Sequence, residues 1–328
     1  MANRRTTIEI PESKLHKQEQ EKKRVEMFQT LNQSLASANK AVKHYLSIKV
    51  DGLWPNENTT DMGLRYCACH QYGEWKIIVP AALMNFDEEV IKGKEPYQLQ
   101  GIYQSYINEM VDATIDVVVI AIDTASKRVL ASRKMAMDYL EERNYFKEDK
   151  GGLSKIERAV RDNKNIESRV ITVREKWVLL DVLGHQVKML VNDVGWRFVP
   201  DARAIVYAGD VVPVKVKELN IDKENKKIEM QVSMKEALPN PNVANSKKYP
   251  AGSTCTGTVV AISNGAYFVQ TGDFVNGVDI LCKIINSPEL PGERDKVLVK
   301  IGYVNEEQGR IFGTIERITS KHNRMLNL

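Results

Sequence analysis

From Lys14 to Leu46 the chain is rich in Glu, Lys, Gln and Ala, has no Gly or Pro, and sets Phe28, Leu31, Leu35, Ala38, Val42 and Tyr45 at alternating spacings of three and four. That period predicts one amphipathic helix with a single apolar stripe, too short for a coiled coil. The stripe is expected to dock, either on the segment that follows or on a partner protein. After it the period changes to short β-branched and aromatic runs separated by Gly, Asn and Asp, the pattern of small all-β barrels. Helical composition returns from Asp138 to Lys164, where Tyr139, Leu140, Ile156, Ala159 and Val160 flank Gly151-Gly152. A second break, Leu238-Pro239-Asn240-Pro241-Asn242, holds two prolines that cannot donate to a ladder and so separates two β segments.

One pattern recurs three times. Val117 to Asp123, the polar turn Thr124 to Arg128 and Val129 to Lys134 form a strand, a turn and a strand. Val211 to Val216, Ile221 to Lys227 and Ile228 to Lys235 repeat it, and Lys296 to Ile301, Asn305 to Arg310 and Ile311 to Ile315 repeat it more loosely. A repeat of this size predicts tandem copies of one supersecondary unit.

At these residues the chain resembles the S1 RNA-binding domain family, typified by bacterial ribosomal protein S1. Ser132-Arg133-Lys134 and Ser233-Met234-Lys235 match the end of the family's last hairpin. Gly257 to Ile262 with Asn264 to Phe268 looks like its first two strands, and Val182 to Gln186 with Val187 to Val194 like its third strand and short helix. Ile78 to Met84 matches a variant of the same strand and helix. The resemblance implies a mainly β protein of three tandem five-stranded OB-fold barrels. It divides the chain into an N-terminal helix (1–47), a divergent barrel (48–137) with an insertion at 86–108, a helical linker (138–164), a barrel (165–236), a Pro/Asn linker (237–249), a barrel (250–318) and a tail (319–328).

Charge sharpens this division. The formal net charge is +4 over 328 residues, but residues 48–137 net −3, while 165–328 net +3. The basic excess sits at the two ends, so the last two barrels are the expected nucleic-acid binders and the first, with its helix, a protein-docking element. No apolar run approaches a membrane span or a secretory signal. Four scattered cysteines suggest no disulfide framework, so a reducing cytoplasm is expected.

The resemblance implies non-catalytic binding of single-stranded RNA, in translation or mRNA handling, with the small ribosomal subunit contacted through the N-terminal helix. A protein-interaction scaffold, or a non-catalytic partner of an RNA-processing enzyme, is the alternative. Barrels of this kind offer ring faces to bases and cations to the backbone. Arg169, Trp177, Lys188, Trp196 and Arg197 are the candidates in the second barrel, although both tryptophans also fit a barrel core. Tyr267, Phe274, Lys283 and Arg310 are the candidates in the third. Tyr267 and Phe268 are adjacent on a strand, so one must point inward. No cofactor, metal or catalytic residue is expected. Cys67 and Cys69 share a strand face while His70 takes the other, and no second cluster would complete a zinc site.

Overall fold

The computed structural model describes residues 12–86, 88–272, 277–284 and 289–322. Helix α1 (Glu12–Ser37) leads into a unit made of β1 (Leu46–Lys49), β2 (Gly52–Pro55), α2 (Met62–Arg65), β3 (Tyr66–Tyr72), β4 (Trp75–Pro80), α3 (Glu88–Ile91), α4 (Pro96–Glu109), β5 (Thr114–Asp123) and β6 (Arg128–Ser132). Helices α5 (Arg133–Glu141) and α6 (Lys155–Arg161) precede a second unit of β7 (Ile166–Val173), β8 (Trp177–Val182), β9 (His185–Leu190), β10 (Val211–Asp222) and β11 (Lys227–Ser233). After α7 (Pro241–Asn245) comes a third, of β12 (Thr254–Ser263), β13 (Ala266–Gln270), β14 (Asp279–Ile284), β15 (Lys296–Asn305) and β16 (Arg310–Ser320).

The third unit closes as a barrel in the order β12-β13-β14-β16-β15, with β14 and β16 parallel. The first has the same order, because β1 and β2 are two halves of one bent strand. Val50 N donates to Ala113 O while Asp51 N donates to Cys69 O, each at 2.9 Å, so neighbouring residues serve opposite sides of the sheet. The second unit follows the order β11-β10-β7-β8-β9 and has no ladder between β9 and β11. A bulge falls at the same place in the fourth strand of every unit, after Val119, Val216 and Ile301. Each unit has its own core rich in Val and Ile, with Met added in the first two. Turn chemistry fits: Asn264 and Gly265, φ +49° and +75°, make the tight left-handed connection between β12 and β13.

Two sequence expectations change. The helical stripe ends sooner than its period suggested: Ser37 closes α1 by accepting from His44 N at 2.8 Å, and Val42 and Tyr45 lie beyond it, exposed. Leu31 and Ala38 are buried, and Phe28 stacks on Trp75 at 5.3 Å, so the stripe is spent largely on the protein's own first unit. The stretch 86–108, read as an insertion, contributes to that unit's core: Tyr103 and Ile107 of α4 are buried, and Phe86 meets Tyr106 edge-on at 4.6 Å.

Candidate nucleic-acid interface

Alternation along β13 sends Tyr267 and Val269 into the third core and leaves Phe268 and Gln270 outward. Across the sheet Phe268 faces Leu281, Leu281 faces Phe312, and Phe312 faces Tyr303. The result is one row of outward apolar side chains over four strands, three of them rings. Phe312 is 39% exposed and Tyr303 58%, their ring centroids 6.0 Å apart. One side-chain step along the strands, about 7 Å away, Lys283 faces Thr314, which faces Lys300. On the opposite flank Arg310 faces Asn305. Flat faces bordered by flexible cations on a rigid sheet can stack bases and neutralise phosphates.

Phe268, Leu281 and Phe312 of this row form one wall of a cleft of about 470 Å³ between the second and third units. The facing wall carries Trp196, Phe198 and Lys235. Trp196 is held by an Nε1 hydrogen bond to Leu238 O at 2.9 Å, with Lys235 Nζ 5.9 Å from its ring. Phe198 is pinned by its backbone: its N–H donates to Asp279 Oδ2 at 2.8 Å, and its carbonyl accepts from Gln270 Nε2 at 2.9 Å.

Several expected positions are corrected. Tyr267 lies in the third core at 7% exposure, because the strand phase gives the outward place to Phe268. Arg197 is a buried joint between units: its Nε donates to Asp279 Oδ1 at 2.8 Å and its Nη2 to Thr271 O at 3.0 Å. Arg169 donates to Asp116 Oδ1 of the first unit at 2.7 Å. Burial opposes its charge, yet the hydrogen bond and field of Asp116 outweigh that and raise its pKa. Trp177 is half-buried on the outer face of the second unit, and Lys188 Nζ already sits 4.8 Å over its ring. Trp196, Lys283 and Arg310 are exposed at the cleft or on the row's flanks. Phe274 lies outside the described residues. Phe268, Phe312, Tyr303, Phe198, Lys235 and Lys300 were not singled out from sequence. For those on strands, the one available signal was alternation against buried neighbours such as Ile311 and Val269.

The corresponding face of the second unit is partly packed against the first: Leu179 takes the place of Phe268 there, while Lys188, Gln231 and Glu218, in the places of Leu281, Phe312 and Tyr303, are exposed and carry no ring. Helix α4 and strand β5 lie on β7, and α5 lies on β9. Ile171 belongs to the first unit's core, and Leu179 packs against it. Gly184, φ +99°, allows the close approach, since a Cβ there would come within 2.3 Å of Leu140 Cβ. In the first unit, burial pushes the Cys67 thiol up to about 12 and also raises Cys69, so neither is a ready thiolate ligand at neutral pH.

Set beside known proteins, the chain is 28% identical to small ribosomal subunit protein bS1 of Staphylococcus saprophyticus over 207 residues, 62% of this chain and 50% of that protein. Against the Staphylococcus epidermidis bS1 the identity is again 28%, over 215 residues, 64% and 52% of the two chains. The chain is similar to bacterial ribosomal protein S1. It spans about half the length of these relatives. A 4-hydroxy-3-methylbut-2-enyl diphosphate reductase from Clostridium acetobutylicum is 25% identical over 219 residues, 65% of this chain and 32% of the reductase. No protein-family model matches. A solved multidomain protein with nucleic acid binding domains from Streptococcus pneumoniae covers 85% of this chain and 75% of its own at 10% identity, with a TM-score of 0.19, too low to bear on the fold. No helix among the described residues is long and apolar enough to cross a membrane.

Proposed function

We propose that this protein binds single-stranded RNA without catalysis, through the outer face of the third barrel and the adjoining cleft. The observation that carries the reading is the Phe268-Leu281-Phe312-Tyr303 row with Lys283, Lys300 and Arg310 beside it. The three units are taken as S1-type OB-folds, supported by their common strand order, their common bulge and the likeness to S1. Relatives named as small-subunit ribosomal proteins extend the proposal to translation or mRNA handling beside the small ribosomal subunit.

Stacking tolerates any base because every base has a π-face, so affinity should depend weakly on sequence and strongly on unpaired bases. The test is fluorescence anisotropy of the full chain with an oligo-U strand about twelve nucleotides long, the matching duplex and the DNA strand, across a salt series. The single strands are expected to bind well above the duplex. Phe268→Ala combined with Phe312→Ala should weaken oligo-U binding by roughly 2 to 6 kcal/mol with the melting temperature little changed. Equal affinity for the duplex, or unchanged affinity in the double variant, would remove the basis of the reading.

A further inference from the structure

The three units place a polar pair at one equivalent position, where the second strand meets the third beside the core pair of Ile77, Val187 or Ile280. The pairs are Gln71 with Lys76, Asp181 with Gln186, and Gln270 with Asp279. Two of them receive an arginine from the unit before. Arg133, at the start of α5, is fully buried; Gln186, turned with its amide oxygen inward, accepts from both of its terminal nitrogens at 2.9 Å, and buried Asp181 adds its field. Arg197, from the loop after β9, donates to Asp279 of the third pair and to Thr271 O, next to Gln270. At both joints an arginine from the preceding unit therefore donates to the third-strand member of the pair on the next barrel.

In the first unit the charge of that position is inverted. Lys76 replaces the acceptor, and Arg128 stands opposite it on the neighbouring parallel strand. Neither forms a salt bridge among the described residues. Asp123, opposite Arg128, is engaged by Ser126, and the guanidinium lies 5.3 Å from the Trp54 ring instead. Beside these cations runs the row Cys69, Ile78, Leu130 and Ala121, in the place of the third unit's ring-bearing row. Three of the four are half-buried and none is aromatic, so this face suits aliphatic packing better than base stacking.

We propose that the Gln71-Lys76-Arg128 position is a docking socket for a protein partner that presents a carboxylate on an aliphatic edge, where the other two barrels receive an arginine. Charge complementarity selects the occupant, and the inversion rejects arginine-bearing edges such as this chain's own 194–200 loop. The proposal stands independently of RNA binding by the third unit.

The probes are two synthetic peptides, the chain's own 194–200 sequence and the same sequence with Arg197→Asp. Binding to the isotope-labelled full chain is followed by amide shifts at Gln71, Lys76 and Arg128. The Asp peptide should bind at least about tenfold tighter than the Arg peptide, a difference of about 1.4 kcal/mol, and Lys76→Asp should reverse the preference. Circular dichroism checks that the variant is folded. Equal shifts from both peptides with the unsubstituted chain would overturn the proposal whether or not the variant folds. So would an oligo-U strand that moved the same amides at lower concentration than the Asp peptide, which would mark the face as a nucleic-acid surface.

Discussion

The second and third units share a strand order and a bulge, yet their outer faces meet different fates. In the second, Leu179 and Ile171 pack on the first unit and Arg169 pairs with Asp116. In the third, the Gln270-Asp279 edge meets the second unit and Asn242 of α7 donates to Gly309 O at 3.0 Å, while the ring-bearing row one step away stays open to the cleft. In sequence the second barrel is the stronger candidate by its aromatics and the third by its charge. The rest of the second unit's equivalent row, Lys188, Gln231 and Glu218, is exposed but bears no ring, so a stacking face depends on strand register as well as on what the preceding unit covers, and composition records neither.

The joint itself gives the largest expected effect. Arg133 is fully buried, whereas Arg197 meets a carboxylate whose side chain is 17% exposed. Arg133→Ala should cost about 3 to 5 kcal/mol, because it removes a large, fully buried side chain and leaves the Gln186 amide oxygen without its donors. Arg197→Ala should cost about 1 to 3 kcal/mol, since water can reach Asp279. Hydrogen-exchange protection of β7 to β9 and of β13 to β14 measures the two. Equal losses would mean that the joints do not differ as their burial implies.

The hairpin repeat was legible because it is local: β-branched strands around a polar turn. The ring-bearing row was not, for a reason that Ile301 and Tyr303 make plain. Two residues apart on a regular strand they would share a face, but the bulge between them resets the phase, leaving Ile301 in the core and Tyr303 outward. Tyr267 and Phe268 pose the same ambiguity without a bulge, since either phase of β13 buries one aromatic. The Arg169 pair joins residues 53 positions apart, and nothing in the local pattern signals it.

A salt titration sharpens the comparison between faces. Each phosphate neutralised on a single strand contributes a slope of about 0.7 in log K against log salt. Lys283→Gln and Arg310→Gln should each lower the slope of oligo-U binding by about that amount and weaken binding similarly for every sequence. Arg169→Gln should leave the slope unchanged, because its charge is already matched by Asp116. An Arg169→Gln slope as reduced as that of Lys283→Gln would return the second face to the binding surface.

The smallest effect concerns protons in the second unit's socket. Burial raises the Asp181 pKa above its ordinary 3.8, and the field of Arg133 and the hydrogen bond from Gly184 N only partly oppose this. One oxygen accepts from Gly184 N at 2.8 Å, and the other has no partner. A carboxyl whose folded pKa lies above its unfolded value holds its proton more tightly in the native state. Its contribution is therefore fully present below the unfolded value and is lost as pH rises through the folded one. Asp181→Asn keeps an oxygen for Gly184 N and cannot ionise. Its unfolding midpoint should match the unsubstituted chain in acid, then exceed it as the pH passes upward through the range in which Asp181 loses its proton. Midpoints that instead fell below those of the unsubstituted chain at neutral pH would show that the ionised carboxylate is a net partner of Arg133, and that the second socket, like the third, works as an ion pair.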